Sequence, residues 1–372
     1  MSLALRHSVL GLLVFGLSGL TAFAEEDKPT RLLYVAAPGI RNYLEYGGHG
    51  ILIFDIDHGH KLVRRIALNS GLDDSGKPDN VKGICANALT KRLYITTTKT
   101  LTCVDLATEK VLWEKSYEGG TDRPSLSPDG KILYLPSFEK DHWNVVDAID
   151  GSVVAKIEPK SGSHNTVYAR DGKHAYLAGL KSPLLTVANT TTHTTEKTVG
   201  PFSAAIRPFT VNGASTLCFV NVNGLLGFEV GDLSTGKKIH RVEIEGYKQG
   251  PVKRHGCPSH GIGLTPDEKE LWVVDAFNQQ VHIFDSTVMP PKPVTSIKVR
   301  EEPGWVTFTL RGDLGYPSTG EVIDVKTHKI VGALADENGQ PVMSEKMLEI
   351  DLQDGRVVAA GDQFGVGRVV NP

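Results

Sequence analysis

The chain of 372 residues carries 40 Lys and Arg against 43 Asp and Glu, a formal charge of −3. Interspersed signs at that balance exclude the strongly basic surface of a nucleic-acid binder. Beyond the N-terminus nothing approaches the roughly 20 consecutive apolar residues a membrane helix needs.

The first 24 residues read as a secretory signal peptide: Arg6 and His7 give a positive start, Val9 to Leu20 an apolar stretch, and Ala22-Phe23-Ala24 a cleavage site. An uncleaved anchor is the alternative. The mature chain, 25–372, is then one domain, periplasmic or secreted, and expected to be a monomer.

From there a strand-like run with a central aromatic recurs, as Leu33-Tyr34-Val35, Leu93-Tyr94-Ile95, Leu133-Tyr134-Leu135, Ala175-Tyr176-Leu177 and Leu271-Trp272-Val273. Turns such as Ser127-Pro128-Asp129-Gly130 precede three of them. Some ten residues later comes a second run ending in aspartate, at Asp55, Asp105, Asp147 and Asp285. A repeat of about 40 residues made of strands and turns predicts an all-β β-propeller of four-stranded antiparallel blades, with strands A to D running outward from the channel.

Six full blades are expected to start near Val81, Asp122, His164, Ile206, His260 and Gly304. The segment Arg31 to Leu68 supplies strands B, C and D only. Lys346 to Ile350 would give the missing A strand and close a seven-bladed ring, with an eighth blade if Gly355 to Val369 adds more than a cap. Cys85, Cys103 and Cys218 read as buried free thiols within blades, since an even cysteine count permits disulfides without demanding them.

Repeat phase also locates a site. Twelve residues before each B-strand aromatic lies the channel mouth, and the positions reached are Lys82, Asp122 with Arg123, His164, Arg207, His260, and Gly304 beside Trp305. Cationic side chains converging on one axis predict an anionic or polar ligand, a carboxylate or phosphate held by arginine forks, with Trp305 as a flat wall. The opposing expectation is a wet channel whose polar groups simply bond to water and loops.

The connection 246–259 carries His255, Cys257 and His260, a set of soft or borderline donors suited to zinc or copper. Next to Lys253 and Arg254, the Cys257 thiol would otherwise be a nucleophile with lowered pKa. A rigid loop shaping the entrance is the plain alternative. Arg41 to Tyr46 form a B-to-C insertion that is either a lid over the mouth or an exposed loop. His58 and His60, in a C-to-D turn, are expected at the surface.

The aromatic B strands, the Ser-Pro-Asp-Gly turn and the phrase Ser259-His260-Gly261-Ile262-Gly263-Leu264-Thr265-Pro266-Asp267 resemble the YVTN-type propeller repeats of secreted bacterial proteins. That superfamily includes the non-cofactor chain of quinoprotein amine dehydrogenases and the propeller lactonases. Asp105 to Trp113 also resembles a docking motif of pyrroloquinoline quinoproteins, present here once. The resemblance implies the propeller and leaves the activity open. Three functions follow as expectations: a ligand or partner-segment binder at the channel mouth, a lactonase-like hydrolase or metal-dependent redox accessory using His164 or His260, or a protein-interaction scaffold.

Overall fold

A computed structural model describes Met1 and residues 28–369; apart from Met1, the leader expected over residues 1–24 lies outside them. Among the described residues, strands form seven antiparallel sheets, with the 3-10 helix Leu44–Tyr46 between the paired strands Thr30–Ala37 and Gly50–Asp55 of one sheet. Each sheet is a blade. The innermost strands are Gly83–Asn87, Ser125–Leu126, Ser163–Tyr168, Ile206–Val211, Ser259–Leu264 and Val306–Phe308, within three residues of the blade starts predicted from the repeat.

The closing blade joins the two ends of the sequence. Met347–Gln353 pairs antiparallel with Thr30–Ala37, Leu32 facing Ile350. Arg356–Ala360 then adds a fifth, innermost strand to this sheet, so the C-terminal segment thickens a blade and the count stays at seven. Residues 361–369 continue along the channel wall. Gly365 accepts backbone hydrogen bonds from Leu264 and from the Thr210 hydroxyl, and Phe364 and Val366 join the hydrophobic core of the fourth and fifth blades.

Why these residues form blades follows from alternation. Strands A to C are buried on both faces, because neighbouring blades cover them, whereas the outermost strands alternate toward water, as in Val111–Ser116 and Lys237–Glu243. The B-strand aromatics Tyr34, Tyr94, Tyr134, Tyr176, Phe219, Trp272 and Tyr316 are at most 2 % exposed. Each such side chain stabilises the ring by about 1.5–3 kcal/mol. Several hydroxyls bridge to the C-to-D turn of the next blade: Tyr94 donates to the Ala148 carbonyl at 2.7 Å, and Tyr134 meets His193 Nδ1 at 2.8 Å. Tyr316 likewise meets His60 Nε2 at 2.9 Å. His60 is therefore an inter-blade contact and not a surface histidine, and burial lowers its pKa to about 4; His58 is exposed on Asp55, as expected.

The aspartates ending the C strands have a local reason. Asp55, Asp105, Asp232 and Asp324 accept N–H groups two or three residues ahead, which folds the C-to-D turn back on itself. Asp232→Ala is expected to lower the urea midpoint, as losing a side-chain cap does; an unchanged midpoint would show that the turn stands without its carboxylate.

Candidate functional site

At one end of the channel the inner strands depart from regular pairing. Register shifts fall between Ser163 and Asn165, between Ile206 and Phe209, and between Ser259 and Ile262. A bulge at a sheet rim re-aims side chains, and these three carry His164, Arg207 and His260 into the mouth. Lys82 immediately precedes the inner strand of its blade, and Lys346 holds the same position before the closing strand.

Asp122 anchors one half of the site. Its carboxylate accepts from His164 Nδ1 at 2.6 Å and lies 3.5 Å from both Lys82 Nζ and Arg123 Nη1. On the far side of the imidazole, Arg123 Nη1 donates to Nε2 at 3.1 Å. That pair of partners fits a neutral ring with its proton on Nδ1. Burial pushes the His164 pKa down to about 4, against the pull of Asp122. Burial alone would raise Asp122, but the Lys82 and Arg123 charges and the hydrogen bond from His164 hold it at about 2. With Nε2 occupied by arginine, His164 positions Arg123 and is badly placed as a general base for water.

The other half centres on Glu345, a residue absent from the phase-derived set. Its Oε2 accepts from Arg123 Nη2 and Lys346 Nζ, each at 2.6 Å, and its Oε1 lies 3.2 Å from His255 Nδ1. His255 stacks on His260 with ring centroids 4.8 Å apart, and His260 Nδ1 donates to the Gly304 carbonyl at 2.7 Å. Desolvation holds both imidazoles below the ordinary histidine range. Burial also lowers Lys346 to about 7, despite the adjacent Glu345. Gly304 has a steric reason: a Cβ there would come to 2.5 Å from Glu345 Oε1 and would clash with the His255 ring.

His255, His260 and Glu345 bring one ligand atom each within 4.8 Å of one another. Cys257 does not join them. Its buried thiol donates to the Ser259 carbonyl at 3.1 Å, and desolvation raises its pKa to about 12. Both expectations for Cys257, soft metal donor and activated nucleophile, are corrected on that geometry: two residues from His255 in sequence, it is buried against the Ser259 carbonyl and does not line the cavity. All four cysteines are buried and free.

The cavity at the mouth has a volume of about 100 Å³, and Lys82, Arg123, His164, Arg207, His260 and Glu345 are among the residues lining it. Trp305 is not a wall of it. Only 2 % exposed, it lies beneath the Arg123 guanidinium, 4.8 Å from ring to carbon, and its indole N–H donates to the Gln363 carbonyl at 2.5 Å. Trp305 and the C-terminal segment therefore floor the pocket and make it blind. Above, Arg41 lines the cavity and donates to the Arg254 carbonyl, while residues 42–45 of the insertion are exposed and stand outside its lining.

Scans against protein-family models and against curated proteins find no match for this chain. Among solved structures, hydrazine synthase of Kuenenia stuttgartiensis is similar over 68 % of this chain and 94 % of that one, at 14 % identity and a TM-score of 0.45. A likeness of that order carries no inference about activity.

Of the residues reached from the sequence, Lys82, Arg123, His164, Arg207 and His260 converge on one cavity, Asp122 stands behind them, and Trp305 lies below. Glu345, Lys346 and Arg254 were missed. A signal for the first two existed: the position before an inner strand, which yields Lys82 in the second blade, yields Lys346 in the closing blade. Counting back from Tyr34 cannot reach it, because that blade takes its inner strand from the other end of the chain.

Proposed function

We propose that this chain is an exported, monomeric propeller of the YVTN-type group that holds a small anionic ligand, a carboxylate or phosphate, in the blind pocket at its channel mouth. The observation that carries the reading is unbalanced charge. Six basic side chains line the cavity (Arg41, Lys82, Arg123, Arg207, Arg254 and Lys346), four of them guanidiniums and two of them lysines that burial lowers, while Glu139 and Glu345 are the acids in its wall. Asp122 and Glu302 offset two more of the charges from behind. Among the described residues Arg207 bonds only to the neutral Asn223 side chain and the Gly256 carbonyl, and Arg41 only to a carbonyl. Two guanidiniums without carboxylate partners, beside a closed floor, favour an anion small enough to be enclosed. The leader and the near-neutral surface support export and argue against a nucleic-acid partner.

Calorimetric titration with inorganic phosphate and with citrate at low ionic strength tests the pocket. Saturable binding is expected, weakened roughly ten- to hundred-fold in Arg207→Ala, the range for one lost charge-assisted hydrogen bond, and weakened again by salt. Equal affinity in the wild type and Arg207→Ala would place any anion elsewhere.

A further inference from the structure

The two histidines and the glutamate at the mouth are held in a way that ion pairing alone does not require. His260 Nδ1 is engaged by the Gly304 carbonyl, which leaves Nε2 as a bare acceptor. His255 Nε2 faces the Glu302 carbonyl at 3.4 Å, which leaves Nδ1 turned to Glu345 Oε1. Anchoring one ring nitrogen on a backbone carbonyl is how proteins fix a metal-ligating imidazole. The carboxylate is oriented in the same manner, with Oε2 taken by Arg123 and Lys346 and Oε1 directed at the histidines.

Spacing agrees. Zn–N and Zn–O bonds of about 2.0–2.2 Å imply ligand atoms roughly 3.3–3.5 Å apart on a tetrahedron. The His255 Nδ1 to Glu345 Oε1 separation of 3.2 Å already matches such an edge, and no pair in the trio exceeds 4.8 Å. Gly304 keeps this space clear, since any side chain there meets both His255 and Glu345.

We infer that His255, His260 and Glu345 hold one divalent first-row metal ion, with the anion of the proposed pocket completing its coordination. Two imidazoles and one carboxylate form a harder donor set than the thiol-containing one read from the sequence, and it fits zinc or ferrous iron with at least one position left open. The open position faces a cavity whose arginines already select anions, so metal and anion bind cooperatively: the anion offsets the charge that the ion adds beside Arg123 and Lys346. The second half of the inference rests on the anion-pocket reading; the first does not.

Cobalt(II) is the probe, added to the full chain stripped with chelator. One ion per chain is expected, with visible absorption of a four- or five-coordinate centre that shifts when phosphate is added. His255→Gln and His260→Gln should each weaken binding at least tenfold, while His58→Gln, at the exposed histidine, should not. Circular dichroism identifies variants that fail to fold, and the wild-type titration stands without them. No saturable cobalt binding, or binding undiminished in folded His255→Gln/His260→Gln, overturns the metal site. Cobalt binding with no response to phosphate overturns the shared coordination but leaves the metal site, and the calorimetric titration decides the pocket separately. Phosphate binding to chelator-treated protein that takes up no cobalt refutes the metal and preserves the pocket.

Discussion

Arg31→Met is expected to destabilise the protein by about 3–5 kcal/mol, the usual cost of stranding a buried charge. Arg31 sits in the first described strand and is 2 % exposed. Its Nε donates to Glu349 on the closing strand at 2.8 Å, its two terminal nitrogens grip Asp313 of the seventh blade at 2.7 and 2.9 Å, and Nη1 also reaches Asp57 at 3.1 Å. One guanidinium thus joins the beginning of the ring, its end, and the blade beside them. Without it, Glu349 (1 % exposed) faces Asp351, whose own carboxyl is already raised to about 7 by burial and by Glu349. Urea denaturation at pH 7 measures the loss. As a control, Lys99→Ala removes an exposed pair with Asp74 and should leave the urea midpoint almost unchanged. A deficit for Arg31→Met as small as that of the control would mean that strand pairing alone holds the ring shut.

A second large effect is expected in acid. His164 is buried and neutral, with Asp122, Arg123 and Lys82 facing its ring. Its folded pKa of about 4 lies below the ordinary value of 6.5, so below pH 6.5 the unfolded chain binds the proton first. Stability is then full above about pH 6.5 and falls as the pH drops toward 4, by on the order of 3 kcal/mol from this group. Asp122, depressed to about 2, adds a further loss as the pH falls below about 4 toward 2. Denaturation of the wild type and of His164→Gln at pH 7, 5.5 and 4 would show the variant with the flatter profile. Parallel profiles would mean that the ring charges without cost, and that water reaches it.

Much of this was legible in the sequence because a propeller repeats. A period of about 40 residues sets strand identity, strand identity sets depth, and depth places every residue before an inner strand at the same mouth; hence Lys82, Arg123, His164, Arg207 and His260 fell together. What local counting could not see is contact between distant segments. Cys257 is close to His255 along the chain, but the third group at the cluster is Glu345, brought there by ring closure. Trp305 has the right phase for a wall, yet the C-terminal segment runs beneath it and ties its indole to Gln363. His60 looked exposed because its partner, Tyr316, belongs to the blade at the opposite end of the sequence.

The shared closing blade also sets a timetable. Strand Thr30–Ala37 emerges early, but its partner Met347–Gln353 follows only after some 300 further residues, which at 5–20 residues per second is a delay on the order of 15–60 s. Throughout that interval the chain carries an unpaired strand edge, and the interlocks around Arg31 cannot form. A nascent chain of this design cannot lock its ring before Met347–Gln353 is made, so for most of its synthesis it is a client for whatever shields sticky edges.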